Sequence, residues 1–170
     1  EGPGVVVADM ESHGGAVRDG EGRVKYVVVV THDVTERHEA AERIHHLAFH
    51  DPLTQLPNRL TLSDRLQHAM AASKRSGRYG ALLFLDLDNF KPVNDIHGHV
   101  AGDLLLVQTA ERISKCVREM DTVARFGGDE FVVMLGELDV NFASSMAQAK
   151  LVAEKIRAAI SEPYFLDITA

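Results

Sequence analysis

Leu82-Leu83-Phe84-Leu85-Asp86-Leu87-Asp88 is a run of apolar residues that acquires two carboxylates only at its C-terminal end. The run reads as a β-strand over 81–87, and its apolar character on both faces predicts a central strand. Residues two apart on a strand share a face, so Asp86 lies in line with Leu82 and Phe84. A carboxylate in that position is costly to bury unless it is paired or bound to a metal. A strand that has simply reached solvent would carry the same pattern, and this stretch alone does not separate the two readings.

A second stretch, Arg125-Phe126-Gly127-Gly128-Asp129-Glu130-Phe131, joins two apolar runs, Thr122 to Phe126 and Glu130 to Leu135. Paired glycines allow the positive φ values of a tight hairpin and a close approach by another molecule. An ordinary Gly-Gly hairpin with solvated acids fits these residues too. If the hairpin pairs beside the Leu82 strand, however, Asp86 and Asp129 converge on one point. Converging hard oxygen ligands suit Mg²⁺ or Mn²⁺, with substrate phosphates completing the shell. Two such ions would activate a hydroxyl nucleophile and stabilise a leaving pyrophosphate.

Helices surround these strands in the pattern. Leu62, Leu66, Ala69 and Met70 predict one that ends near Gly77; Leu106, Ala110, Ile113 and Val117 mark a second. Met146, Ala149, Ala153, Ile156 and Ile160 mark a third, stopped by Pro163. The order α-β-α-β-β-α implies an α/β (α+β) domain, a ferredoxin-like sheet covered by helices. Between strand and second helix lies a polar, Gly-rich loop from Asn89 to Asp103. There Asn94 and Asp103 offer an amide and a carboxylate to a purine edge, and Lys91 with nearby helix-start N–H groups suits phosphate. An ordinary loop with an Asp cap would look similar.

Upstream, Val5-Val6-Val7 and Tyr26 to Thr31 read as strands with Asp19-Gly20-Glu21-Gly22 as the turn, a sheet too small to bury its own face. Thr35 to Phe49 reads as a helix, N-capped by Thr35, with a narrow stripe of Ala41, Ile44, Leu47 and Ala48. It has the character of a linker that pairs with its own copy.

The 170 residues are 45 % hydrophobic and 25 % charged, an ordinary globular mixture that accommodates one domain or one domain plus a piece of another. A formal charge of −7 argues against a nucleic-acid polymer as partner, which needs clustered Lys and Arg, while leaving a nucleotide open. The one cysteine, Cys116, has no intramolecular partner and reads as a buried structural thiol, in keeping with a reducing, cytoplasmic location. No apolar run approaches the roughly 20 residues that span a bilayer, so membrane contact is expected only through segments outside this chain. The chain starts at Glu1 without Met and reads as a fragment. The nine histidines, including His45, His46 and His50, form no zinc-ligand spacing.

Four segments, 51–59 (Asp-Pro-Leu-Thr-Gln-Leu-Pro-Asn-Arg), 84–91 (Phe-Leu-Asp-Leu-Asp-Asn-Phe-Lys), Asn94 to Asp103 and 125–131, together resemble the GGDEF family of diguanylate cyclases in order and spacing. The resemblance runs from Asp51 to the end, over 51–170. It implies condensation of two GTP into cyclic di-GMP with loss of pyrophosphate, with Mg²⁺ or Mn²⁺ as cofactor. Asp86, Asp129 and Glu130 would be the catalytic acids and, with the Leu87 carbonyl, the metal ligands. Asn94 and Asp103 would read guanine, Lys91 would serve phosphate, and Gly127-Gly128 would leave room for the nucleotide. Each domain of the family holds one GTP, so activity would require a homodimer. Arg118-Glu119-Met120-Asp121 resembles the family's inhibitory product site, with Arg118 and Asp121 holding cyclic di-GMP. A charged helix C-terminus would account for the same Arg.

Residues 1–35 resemble the last strands and exit motif (Asp33-Val34-Thr35-Glu36-Arg37) of a PAS sensor, and 36–50 a helical signalling linker. Nothing after Pro163 matches the family's last segment, which carries a further strand and a phosphate-gripping Lys or Arg. The domain is therefore expected to be incomplete at its C-terminus, and these residues alone weakly active or inactive. A second reading is a non-catalytic GTP or cyclic di-GMP binding module controlling a downstream EAL phosphodiesterase domain.

Overall fold

The structure, a computed structural model, describes residues 10–167. The chain divides into two compact units, Glu1–Ala48 and Phe49–Ala170.

In the first unit, β1 (Met10–Arg18) and β2 (Val24–Asp33) form an antiparallel hairpin, with Ala16 opposite Val27 and an irregularity between Val17 and Arg18. Asp19 closes the turn: its carboxylate accepts from the N–H groups of Glu21 and Arg23 and from the Arg23 guanidinium. The strand expected at Val5-Val6-Val7 falls outside the described residues. The partner of β2 is a stretch that carries Gly14 and Gly15 and little β propensity, which is why its sequence gave no strand signal. Val27, Val28, Val29 and Val30 are all exposed, as is common on a sheet of two strands. Helix α1 (Thr35–Phe49) follows as expected. At its start the Asp33 carboxylate accepts the Thr35 N–H at 3.0 Å.

The second unit is built on a three-stranded antiparallel sheet in the order β3 (Ala81–Leu85), β5 (Glu130–Leu135), β4 (Thr122–Gly127). Period-two alternation along β5 sets the layers. Phe131, Val133 and Leu135 pack with Leu106, Ala110, Ile113, Ala149 and Ile156 from α4 (His99–Ser114) and α5 (Phe142–Ser161). Val132 and Met134 pack the opposite way, with Leu62, Leu66 and Ala69 of α2 (Arg59–Ser76). The central strand is thus β5, and β3 lies at the edge. Apolar residues on both faces do not count neighbouring strands. On β3 Leu83 and Leu85 face the core while Phe84 stays 73 % exposed.

Local signals fix the helix ends. Asn58 caps α2 by accepting the Thr61 N–H at 3.0 Å, and Gly77 ends it in the left-handed region at φ 71°. Asn141 caps α5 by accepting the Ser144 N–H at 3.1 Å. Two expectations need correction. The stretch after Asn89 is a helix, α3 (Phe90–His97), rather than a loop, and α4 stops at Ser114, short of Val117. Pro92 fits in the first turn of α3 because the N–H it lacks would have no partner there.

Arg112 fastens the segment after α5. Its guanidinium donates to the carbonyls of Ala159, Glu162 and Pro163 at 3.0, 2.6 and 2.7 Å and lies 3.7 Å from the centre of the Tyr164 ring. The last carbonyls of α5 thereby gain a cationic donor.

Candidate functional site

Antiparallel pairing of β3 with β5 places Phe84 opposite Val132 and Leu85 opposite Phe131. The strand proper ends at Leu85, two residues earlier than the sequence suggests, so Asp86 is the first residue beyond it. Exposure continues to alternate all the same: Leu82, Phe84, Asp86 and Asp88 are exposed, while Leu83, Leu85 and Leu87 are partly buried against the core. The last pair, Leu85 with Phe131, leaves Asp86 one residue past the end of β3 and Glu130 one residue before Phe131, with Asp129 next in the turn. Opposite residues in such ladders have Cα atoms about 4.5–5.5 Å apart. Asp86 and the acids of the hairpin therefore belong to one end of the sheet.

The hairpin turns as its glycines require. Gly127 pairs with Glu130, and Gly127 and Gly128 take φ values of 138° and 53°. Neither position has another atom within 4 Å of where a Cβ would stand, so the space above the turn is open to a ligand. Phe126 forms an irregularity between Arg125 and Gly127. Among the described residues, Asp86, Asp88, Asp129 and Glu130 form no ion pair with a basic side chain. Carboxylates without a basic partner are the kind of group that a divalent cation can join. Among the described residues no three His, Cys, Asp or Glu side chains gather into a metal cage. The donors suit an ion that keeps waters or phosphates in its shell, the habit of Mg²⁺. The Leu87 carbonyl accepts the Phe90 N–H at 3.3 Å and retains a lone pair.

The guanine-facing candidates lie on α3 and α4. Gly98, at φ 83°, joins the two helices. Asn94 is half-buried and its side chain lies against Gly102: a Cβ at residue 102 would meet Asn94 Oδ1 at 2.0 Å. Gly102 is thus the residue that lets Asn94 sit beside α4, one position from the exposed Asp103. Lys91 stands exposed in the first turn of α3, whose N-cap, Asn89, makes no side-chain hydrogen bond to the helix. The Phe90 N–H is given to the Leu87 carbonyl and Pro92 has none, so in the first turn of α3 the N–H groups of Lys91 and Val93 are the ones that could meet an anion.

Arg118 and Asp121 lie beyond α4, in a turn rather than at a helix end. The Asp121 carboxylate accepts the backbone N–H groups of Arg118 and Gly136 at 3.0 and 3.2 Å, which fixes the turn. Arg118 is exposed at the rim of a cavity of about 330 Å³ that Asp121 also borders.

Asp51 and Arg125 received no role from the sequence beyond their place in the motifs. They form a largely buried ion pair, with Arg125 Nη1 at 2.9 Å from each Asp51 oxygen. Burial alone would raise the Asp51 carboxyl. Hydrogen bonds from the Thr54 N–H and hydroxyl, and from Arg125 with its charge, outweigh burial and hold it below the ordinary 3.8. The same guanidinium donates to the Gly128 carbonyl from Nε and Nη2 at 3.0 and 2.7 Å.

The sheet end carries acids beside a Gly-Gly turn, and Asn94 and Asp103 stand on the two helices that follow β3. The chain belongs to the GGDEF family, matching the diguanylate cyclase GGDEF domain over residues 48–169. It is 52 % identical over 118 residues to the bifunctional diguanylate cyclase/cyclic di-GMP phosphodiesterase MucR of Pseudomonas aeruginosa, covering 69 % of this chain and 16 % of MucR. It is 45 % identical over 118 residues to the diguanylate cyclase TpbB of the same species, covering 69 % of this chain and 26 % of TpbB. The chain thus spans a minor part of the curated relatives it matches. The solved GGDEF domain of the latter protein superposes with a TM-score of 0.65 at 44 % identity, over 69 % of this chain and 66 % of that one. The coiled coil and GGDEF domain of DgcB from Caulobacter crescentus, solved in complex with c-di-GMP, gives 0.68 at 28 % identity, over 80 % and 69 %.

Proposed function

We propose that this chain supplies the nucleotide-handling part of a diguanylate cyclase, which joins two GTP molecules into cyclic di-GMP and releases pyrophosphate. The observation that carries the reading is the β3–β5 register, which brings Asp86 to the same sheet end as the Gly127-Gly128-Asp129-Glu130 turn. Bound there, Mg²⁺ or Mn²⁺ would offset the negative charge of the GTP phosphates and make the attacking ribose hydroxyl more acidic. Asp86, Asp129 and the Leu87 carbonyl would hold it, with Glu130 as a further acid. The open space over Gly127 and Gly128 admits the phosphates. Asn94 and Asp103 face the guanine edge: a carboxylate accepts from N1–H and the 2-amino group, which adenine does not offer together. Lys91 and the uncapped start of α3 steady phosphate oxygens.

One such site presents a single GTP, so the reaction needs two domains facing each other, each 3′-hydroxyl attacking the partner's α-phosphate in line. We read the protein as a homodimer for that reason, with cyclic di-GMP binding at Arg118 and Asp121 as the feedback signal. The PAS-like residues 1–35 and the helix after them would set the dimer geometry. A cytoplasmic site of action suits a GTP-dependent reaction, and no helix among the described residues is long and apolar enough to cross a membrane. A purely binding role for GTP or cyclic di-GMP would not require Asp86, Asp129 and Glu130, all present here. The test is chromatography of nucleotides after incubating the full-length protein with GTP and Mg²⁺. Cyclic di-GMP from wild type and none from a folded Asp129→Ala variant is the expected result; equal yields from both refute the assignment.

A further inference from the structure

We propose that Arg125 is a positioning residue for the catalytic turn, with Asp51 orienting its guanidinium. The inference rests on the cyclase reading and extends it to residues that touch neither nucleotide nor metal. Gly128 stands at φ 53°, a region with few steric walls for glycine, so the chain itself does little to fix the peptide plane that leads into Asp129. The Arg125 fork fixes it instead. Nε and Nη2 both donate to the Gly128 carbonyl, at 3.0 and 2.7 Å, and that carbonyl belongs to the peptide whose nitrogen is Asp129. Nη1 points the other way, to both oxygens of Asp51 at 2.9 Å. The side chains are only 10 % and 15 % exposed, which limits screening by water.

Asp51 is itself held. Its carboxylate accepts the Thr54 N–H at 2.8 Å and hydroxyl at 2.7 Å, and its backbone N–H donates to Leu56 at 2.8 Å. The Arg125 N–H donates to Pro57 at 3.0 Å, so turn 51–57 and β4 are joined through both backbone and side chain. The route from Asp51 to Asp129 therefore runs through one planar group with all three bonding nitrogens committed. Lys could keep the charge and could not span both acceptors.

The experiment uses the full-length protein and its Arg125→Lys and Asp51→Asn variants. Mn²⁺ binding is read by electron paramagnetic resonance with a non-reacting GTP analogue, alongside kcat, KM for GTP and thermal midpoint. Arg125→Lys should weaken Mn²⁺ binding and lower kcat by about 10- to 100-fold, the usual effect of losing a group that orients a metal ligand, with KM for GTP changed by no more than about twofold. Asp51→Asn should shift both in the same direction by less, and the double variant should be no worse than Arg125→Lys, because the two act as one unit. A lower thermal midpoint with unchanged Mn²⁺ affinity and kcat would make the pair a structural bridge only and overturn the proposal. Should Arg125→Lys not fold, Asp51→Asn, which keeps a near-isosteric acceptor, decides by the same readouts. Wild type that binds Mn²⁺ yet makes no cyclic di-GMP would defeat the cyclase reading alone, and the Mn²⁺ affinity ratio would still decide the role of Arg125. Wild type that binds no Mn²⁺ overturns both.

Discussion

Gly102→Ala separates stability from nucleotide recognition. In a helix interior alanine is favoured over glycine by about 1 kcal/mol, so the substitution would ordinarily strengthen α4. Here the new Cβ would lie 2.0 Å from Asn94 Oδ1 and 2.9 Å from Asn94 Cγ. Both values are far inside ordinary non-bonded contact of roughly 3.5 Å. The obstruction is the far end of a flexible side chain, so Asn94 can rotate away and the helix can keep most of its gain. The thermal midpoint should move little. Recognition should suffer, because Asn94 leaves the position from which it is proposed to meet guanine. A lost hydrogen bond of this kind is worth about 0.5–1.5 kcal/mol, or roughly 2- to 10-fold in affinity. Isothermal titration with a non-reacting GTP analogue measures the loss, and the same titration with the ATP analogue measures selectivity. The variant should bind the guanine analogue more weakly and discriminate less. A folded Gly102→Ala protein with wild-type GTP affinity and selectivity would refute the placement of Asn94 at the base.

Asp51→Asn carries a pH signature beyond its effect on metal binding. The folded-state pKa of Asp51 is lowered, so its ionised contacts stabilise the fold above the unfolded value near 3.8 and that contribution fades as pH falls through the lower folded value. Thermal midpoints of wild type and variant should differ at neutral pH and converge in acid below about pH 4, whereas a constant gap at every pH contradicts the ionic account. Arg112→Ala removes three carbonyl partners and a ring contact at the end of α5. It should cost about 1–3 kcal/mol and speed amide hydrogen exchange over 159–165 while leaving β5 protected. Ile156→Ala, at a fully buried position between α5 and the sheet, should cost about 2–5 kcal/mol by denaturant titration; a cost below about 1 would mean that the α5 face does not form the core described.

The parts legible in sequence were those written locally. The glycines of the hairpin, the Gly77 stop and the apolar stripes of α2 and α5 each act within a few residues, and each stands where its chemistry requires. Alternation beyond Leu85 also held, so Asp86 shares a face with Phe84 although the ladder has ended. What escaped depended on neighbours. An apolar run does not record how many strands flank it, and β3 proved an edge where a central strand was expected. Helix α3 was hidden by Pro92 and by polar residues that serve equally well in a loop. Strand β1 draws its pairing from β2, and its glycines gave no sign of it. The Asp51–Arg125 bridge spans 74 positions, and the Arg112 strap 47 to 51, so no local pattern could announce either. In the candidate site the acids and glycines were readable as residue types in order. The fork that holds the turn, and the reason residue 102 must lack a side chain, became visible only when distant segments met.

The most direct measurement is anomalous diffraction from crystals of the full-length protein grown with Mn²⁺ and a non-reacting GTP analogue. The account requires a manganese peak bridged by the Asp86 and Asp129 carboxylates and by analogue phosphates, with the phosphates lying over Gly127 and Gly128. Manganese bound elsewhere, or an analogue seated without contact to either aspartate, contradicts it.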